Sequence, residues 1–526
     1  MIRKTLAFLS FILLGFNSFT QVFVPGLPDV SYAQILKIKN SEIPVSWHNS
    51  INYWDSLNWN LRGLPPAKAG LSINPISAQF VYNHNLPHSF NDGPVWKGVG
   101  STAEIHGGLS FHKSRLHITI NPVLFFSQNK GFPLATIKDD VSPYSYQFAN
   151  KNFVSRKIDW VQRFGDESFA KAHLGQSELR YLGNYFTAAV STQNFVMGPV
   201  KFNPLLMSLQ APGLPHLHLG TSKPIPMSIR DIELGKLETN TFQGFVSGSQ
   251  FFDDVDRDDR RYINGLSVAY QLPYLDRLTV GFHKTMYKYF EHFQARDLFA
   301  TIKKIDNGQE VSDSTLRFND AFDQMGALFV DWLFPNVGFN VYLEWSRNDF
   351  NGTTSRRFFV SPEHSRAYTI GFQKVFDLPS KKPSALLASY EHTNLSRNMG
   401  WLFRPNPPYY QHILIEHGYT NDGQLLGAGI GGGGVSDNLG LTWHDLSRTL
   451  GFLIRRIRHD DDYFFERIQA LDRQDAEYVI SVNGLITKDQ FTYGASLRGG
   501  KRYNMYYEFE NDVKNASIEL FFKLTL

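Results

Sequence analysis

Not one cysteine occurs in the 526 residues. That absence removes disulfides, thiolate metal sites, thiol nucleophiles and a lipidated N-terminal cysteine. Stability must therefore come from packing or from a self-contained hydrogen-bond network. Charge is sparse and balanced, with 19% charged residues and a formal net charge of +3, so there is no strong field to draw in nucleic acid. Beyond the first twenty residues no apolar run reaches the ~18 residues of a spanning helix, and mean hydropathy is −0.27. No GxSxG, HExxH or P-loop pattern appears. The expectation is therefore no enzyme, no cofactor and no resident metal.

What is present begins with an export signal. MIRKTLAFLSFILLGFNSFTQ carries Arg3 and Lys4, then an apolar run from Leu6 to Leu14, then Ser18 and Thr20 at the −3 and −1 positions of a cut before Gln21. This layout predicts a cleaved secretory signal peptide over 1–20. Residues 21–70 hold Pro25, Pro28, Pro44, Pro65 and Pro66 and show little helical period. They are expected to be an irregular segment, periplasmic or plugging, ahead of a single body over 71–526.

Aromatics are abundant, at 15%, and the apolar residues alternate. In the final NASIELFFKLTL, Ile518, Leu520, Phe522, Leu524 and Leu526 share one face, opposite Ser517, Glu519, Lys523 and Thr525. The same period of two recurs in NVGFNVYLEWS, NGLSVAYQL, RLHITIN and RAYTIGFQK, which marks strands with one apolar and one polar side. FTYGASLRGGKRYNMYYEFEN reads as two strands around a Gly499-Gly500 turn. Glu344 and Glu391 fall in mid-strand on the polar side, and aromatics gather at strand ends, with Trp345 a girdle residue. A soluble sandwich would turn the apolar side inward, whereas a membrane barrel turns it to lipid. The pattern favours the barrel: an all-β fold, a large antiparallel transmembrane β-barrel. At ~25–30 residues per strand with its loop, it would have 16–20 strands, with 18 the best value.

One stretch fits no strand. GPVKFNPLLMSLQAPGLPHLHLGTSKPIP (198–226) is apolar yet holds six prolines, which remove donors and fix φ too often for a ladder. Irregular backbone at membrane depth is tolerated only inside protein or along a water-filled cavity. The segment is therefore expected to fold into the lumen, led by Pro199, Asn203, Pro204, Met207, Ser208, Pro212, Gly213 and Pro215.

Three segments also carry a family resemblance. YNHNLPHSFNDGPVWKGVGSTAEIHGGLSFHKSRLHITINPVLFFSQN (82–129), GQSELRYLGNYFTAAVSTQNFVMGPVKFNPLLMSLQAPGLPHLHLGTSKPI (175–225) and HGYTNDGQLLGAGIGGGG (417–434) stand in family order across about two thirds of the chain. Together they resemble the Wzi-like capsule assembly proteins, in the form found in Bacteroidetes-like organisms. The resemblance implies an outer-membrane barrel of a Gram-negative (diderm) bacterium that binds or organises capsular or other surface polysaccharide as a lectin. Its partners would be that polysaccharide, the bilayer with its lipopolysaccharide, and the barrel assembly machinery. A channel or porin is the first alternative and an outer-membrane hydrolase the second.

Sugar recognition needs flat aromatic faces and planar hydrogen-bonding groups, and an acidic polymer adds a need for arginine. The candidates are Trp401, Arg404, His216, His218, Trp96 and Trp443, with Trp54, Trp59, Arg455 and Arg456 behind them. WLFRPNPPYYQH (401–412) is the preferred loop because its prolines stiffen the backbone carrying Trp401, Arg404, Tyr409 and Tyr410. FFDDVDRDDRR (251–261) partly resembles a calcium loop but has no Gly at the sixth place and no Glu at the twelfth. His106, His112 and His117 do not share one strand face, so a zinc site is not expected.

Overall fold

The structure, a computed structural model, describes residues 30–39, 69–135, 142–146, 148, 158–253, 259–275, 277–302, 322–348, 360–379, 384–402, 407–445 and 447–525. The signal-peptide region 1–20 lies outside the described residues.

Every pairing between named strands is antiparallel, and twenty-three segments form one sheet. Ten of these segments are halves of five interrupted strands, which leaves eighteen strands among the described residues. β1 comprises Gly70–Ile73 and Ile76–Asn83, β2 Gly100–His106 and Leu109–Lys113, β3 Leu116–Ile120 and Val123–Ser127, and β4 Phe169–His173 and Glu178–Leu182. β5 is Phe186–Ser191, and β6 is His216–Thr221 with Ile225–Ile229. The rest are unbroken: β7 Ile232–Val246, β8 Arg261–Gln271, β9 Leu278–Tyr289, β10 Asp323–Phe334, β11 Phe339–Arg347, β12 Arg366–Leu378, β13 Ser384–Asn394, β14 Val435–Asp445, β15 Arg448–Arg458, β16 Ala476–Lys488, β17 Phe491–Tyr503 and β18 Val513–Leu524. β1 pairs with β2 (Phe80↔Ala103) and also with the last strand (Phe80↔Leu520), so the ladder returns on itself. Such a sheet exposes no long edge to lipid, which cannot hydrogen-bond one.

The interruptions have a local cause. β1 and β3 both break at an Asn-Pro step, Asn74-Pro75 and Asn121-Pro122, where proline has no N–H to give to a ladder. The two buried asparagines meet across the break, Asn74 Nδ2 donating to Asn121 Oδ1 at 3.2 Å, and Ser110 Oγ donates to Asn74 Oδ1 at 2.6 Å. The expected turn at Gly499-Gly500 does not form. β17 runs straight through it, with Gly499 opposite Ile480 and Gly500 opposite Val479, and the chain reverses at 504–512 instead. Glycine weakens a strand, but here the neighbours on both sides hold the register.

Burial is inverted relative to a soluble sandwich. On β12 and β13, Ile370 and Phe372 are 44% and 45% exposed while Thr369 and Glu391 are fully buried. On the last strand, Leu520 and Phe522 face out and Glu519 faces in. The apolar face is outside and the polar face lines the lumen, which is the transmembrane β-barrel the alternation predicts.

The two ends differ. One has short turns, such as Asp489-Gln490 and the Ser114-Arg115 step. The other has long connections, including 84–99, 192–215, 247–260 and 395–434. At the short-turn end, residues expected to be irregular instead contain a helix, α1 (Val30–Lys39). Ile35 and Ile38 pack on the inward residues Phe329, Leu333, Val375 and Leu387, and Lys37 Nζ lies 3.5 Å from Asp331. These wall contacts hold a short helix that its own sequence barely encodes.

Candidate functional site

The proline-rich segment lies in the lumen. The chain leaves the wall at Ser191 and rejoins it at His216, while β5 and β6 pair directly with each other (Ser191↔His216). Residues 192–215 are therefore an excursion inward. The backbone donors freed by its irregular path converge on one carboxylate. The N–H groups of Lys201, Phe202 and Asn203 donate to Glu391 at 2.9, 3.0 and 2.9 Å, and the Tyr342 hydroxyl donates to it at 2.9 Å. Asn203 Nδ2 reaches Ser436 Oγ on β14 at 3.0 Å, and Thr369 Oγ1 on β12 donates to the Asn203 carbonyl. Contacts also run to the 84–99 connection: Asn91 Nδ2 donates to the Phe202 carbonyl at 2.9 Å and Gly93 N–H to the Leu209 carbonyl at 2.8 Å. A carboxylate accepting several N–H bonds does for this turn what a capping residue does for a helix end.

Apolar packing completes the filling. Leu205, Leu206, Met207, Ala211 and Leu214 join one cluster with Phe242, Ile263, Tyr287, Met325 and Ala367 from the inner wall. The 417–434 stretch enters the same cluster through Tyr419, Leu425, Leu426 and Ala428. A small hairpin there pairs Thr420–Asn421 with Gln424–Leu425. Its tip reaches the wall on both sides, Asp422 N–H bonding Ser247 at the end of β7 and its carboxylate bonding Lys171 on β4. The glycines suit this contact. A Cβ on Gly427 would lie against the Tyr410 hydroxyl and the Leu205 carbonyl. Gly433 has a left-handed φ of 71°, a conformation that glycine adopts without a steric penalty. Tyr410 staples the two inserts: its hydroxyl donates to the Leu205 carbonyl at 2.8 Å and accepts from Ala428 N–H at 2.7 Å.

Within the expected lumen stretch, Asn203, Pro204, Met207, Ser208 and Pro212 are buried, Pro199 and Gly213 partly so, and Pro215 is exposed where the chain rejoins the wall. The expected boundary needs correcting. Residues 216–221 and 225–229 are the two halves of β6, with the bulge in its pairing falling at Met227-Ser228. The alternation His216, Leu217, His218, Leu219 is a strand signal that the surrounding prolines obscure.

Among the described residues, the sugar-site candidates do not come together. His216 is buried between Phe195 and Phe242, with Nδ1 2.7 Å from the Leu214 carbonyl. His218 faces the lumen beside Arg180. Trp96 packs on Phe164, with Nε1 bonded to Asn129 Oδ1 at 3.1 Å. Trp443 stands on the outer face near the short-turn end, with Arg448 over its ring, which is a girdle position. Tyr409 and Tyr410 are buried in the lumen cluster. Arg455 points inward, over Phe90 and onto Asn438, while its neighbour Arg456 faces out toward Asp437. Arg404, Trp54 and Trp59 lie outside the described residues, as do Asp254, Asp256 and Asp258. Of Trp401 only the backbone turn Met399–Leu402 is described.

What gathers at the long-connection end is a group of rings no sequence motif announces. Tyr146 lies 4.6 Å from Trp160. Phe148 meets Tyr463, Tyr506 and Tyr507 at 4.9, 5.9 and 5.1 Å between centroids. Arg502 lies over Tyr506 at 5.1 Å and Arg163 over Tyr144 at 5.7 Å. Trp160, Tyr146, Tyr463 and Tyr506 each keep part of their surface open. Beneath them, Asp460 accepts from the Tyr146 hydroxyl and caps the turn through Tyr463 N–H. Burial, then the charge of Asp462, pushes the Asp460 carboxyl up to about 7, and burial raises Asp461 to about 6 against the pull of Arg458. Partly open rings from three connections, backed by guanidinium groups that are themselves paired with Asp166 and Asp475, make a surface suited to the C–H faces and hydroxyls of sugars.

No family model matches the sequence, and no curated protein matches it. Among solved structures, the chain is similar to Wzi of Escherichia coli, described as an outer-membrane protein involved in group 1 capsule assembly and a carbohydrate-binding β-barrel. The match has 10% identity and a TM-score of 0.57, and covers 97% of this chain and 96% of that one. Two Pseudomonas barrels match at lower TM-scores. OccK5 of Pseudomonas aeruginosa does so with 9% identity and a TM-score of 0.38, covering 87% of this chain and 98% of that one. A BenF-like porin of Pseudomonas fluorescens does so with 9% identity and a TM-score of 0.39, covering 87% and 99%. At these identities the likeness is one of fold.

Proposed function

We propose that the chain is a non-catalytic outer-membrane barrel of a Gram-negative bacterium that binds or organises capsular or other surface polysaccharide. The observation that carries this reading is the filled lumen. Residues 192–215 and the 417–434 insert join the wall in one buried cluster, where a diffusion channel needs open cross-section. The overall likeness to a carbohydrate-binding barrel supports it. In outer-membrane barrels the long connections face outward from the cell, so the ring cluster around Trp160, Tyr146 and Tyr506 would meet the polymer. The export signal, lipopolysaccharide as a bilayer neighbour and the barrel assembly machinery as folding partner belong to the same reading. Individually weak contacts suffice, because many copies on one long chain gain avidity without new contacts.

The test is binding of the purified, detergent-solubilised protein to an array of surface glycans, alongside conductance in a planar bilayer. Saturable binding to one polysaccharide, reduced by Trp160→Ala and Tyr506→Ala, supports the reading. No glycan binding together with steady conductance overturns it in favour of a channel.

A further inference from the structure

The lipid-facing wall of β8 and β9 carries residues that do not belong there. On β9, Tyr287 points inward into the lumen cluster, whereas its neighbour Met286 belongs to a separate cluster with Tyr262, Ala300 and Phe322. Lys284, Met286 and Lys288 therefore share the outward face, as do Tyr262 and Asn264 on β8 and Gln243 on β7. Lysine in a lipid-facing wall is costly, yet Lys288 and Asn264 are fully buried and Lys284 nearly so. The cover is the chain itself. After β9, residues 290–302 turn back over the outside of the barrel. Lys288 Nζ pairs with Asp297 at 3.1 Å, Asn264 Nδ2 donates to the Asp297 carbonyl at 2.8 Å, Lys284 Nζ to the Ala300 carbonyl at 3.2 Å, and Gln243 Nε2 to the Leu298 carbonyl at 3.1 Å. Gln294 and Asp297 close the first turn of Ala295–Phe299 with a reciprocal capping box, which satisfies two backbone donors at once. Arg260 is held between Phe245 and Phe290, at 4.3 and 4.7 Å.

The direction of this segment decides where it lies. Between Asp297 and Ala300 its partner on β9 steps from Lys288 to Lys284, four residues or about 13 Å toward the short-turn end. The segment descends along the wall rather than rising into water. Asp297 and the backbone carbonyls of Leu298 and Ala300 face the barrel, Glu291, Gln294 and Arg296 are exposed earlier in the segment, and beyond them Phe299 and Ile302 are 60% and 70% exposed, with Leu298 beside them. The lipid-facing Leu328 on β10 stands opposite Phe282, two residues beyond Lys284 toward the short-turn end.

We propose that residues 290–302 form an external strap seated in the membrane, its apolar face occupied by lipid acyl chains and its polar face shielding the lysines of β9 from hydrocarbon. The strap thereby anchors the barrel at the leaflet on the long-connection side, as an interfacial amphipathic segment does.

The chain has no cysteine, so single cysteines can be placed in the full-length protein and spin-labelled without background. Labels at Phe299→Cys and Ile302→Cys, in liposomes, are compared with Ile370→Cys on the lipid-facing wall and Leu471→Cys in an exposed connection. Relaxation by oxygen, which concentrates in hydrocarbon, is measured against relaxation by a water-soluble nickel chelate. At 299 and 302 the oxygen-to-nickel ratio should match that at 370 and exceed that at 471 several-fold. A ratio like that at 471 overturns the proposal by placing the strap in water. Protection from both reagents overturns lipid as the occupant in favour of a second protein surface. Should Phe299→Cys fail to fold, Ile302→Cys, at the more exposed of the two positions, carries the same reading.

Discussion

Replacing Glu391 with alanine removes the acceptor on which the lumen segment hangs. Three buried N–H groups and the Tyr342 hydroxyl then lose their partner. Each buried donor left unsatisfied costs about 1–3 kcal/mol, and because four neighbours do not add independently the total is on the order of 3–6 kcal/mol. The apolar side chains of Leu205, Leu206 and Met207, all essentially buried, stay in place, and each contributes roughly 1.5–3 kcal/mol. The two sums are comparable, so the variant should loosen residues 200–204 without expelling the segment. Hydrogen exchange at the amides of Lys201, Phe202 and Asn203 should accelerate by about two to four decades, since ~1.4 kcal/mol is one decade, while conductance in a planar bilayer stays near the wild-type level. Glu391→Gln keeps one acceptor oxygen and should fall between. Unchanged protection at 201–203 in Glu391→Ala would refute the carboxylate's role as the anchor. Conductance as large as that of a chain lacking 200–214 would refute the share assigned to apolar packing.

Leu206→Ala leaves a cavity in the lumen cluster and should cost about 2–5 kcal/mol, measurable as a lower temperature at which the folded band is lost on semi-native gels. In Gly427→Ala the new methyl meets the Leu205 backbone. That substitution should destabilise the 417–434 insert by about 1–3 kcal/mol, and exchange at 425–430 should rise. Asp460 and Asp461 bind protons more tightly folded than unfolded. Folded molecules therefore hold more protons between about pH 4 and 7, and the stability of the 460–468 turn should fall as pH rises through that window and level off above it; exchange at Tyr463 and Phe464, followed from pH 4 to 8 and corrected for intrinsic rate, reads this directly. Trp160→Ala should weaken glycan binding while Trp443→Ala, on the lipid face near the short-turn end, leaves it unchanged.

Much of the wall was legible from residue order alone. Period-two alternation in segments such as NVGFNVYLEWS sets a strand's two faces regardless of its neighbours, and Glu344 and Glu391 on the polar side indicated which face turns inward. The proline density of 198–226 likewise excluded a regular ladder over 198–215, because proline's missing donor is a local fact. Tertiary structure decided the rest. Gly499-Gly500 stays in strand because β16 and β18 hold it, and α1 is helical where wall contacts receive Ile35 and Ile38. The donors of Lys201, Phe202 and Asn203 found Glu391, 190 residues beyond Lys201 in sequence. Trp160, Tyr146 and Tyr506 come from connections that meet only when the sheet curls, and no spacing rule brings them together. Lys288 reads as an error on a lipid face until the strap is seen to cover it. Local sequence determined which faces exist and which backbone cannot pair; which face meets which partner depended on the closure of the whole sheet, since those contacts join residues with no short-range relation in the chain.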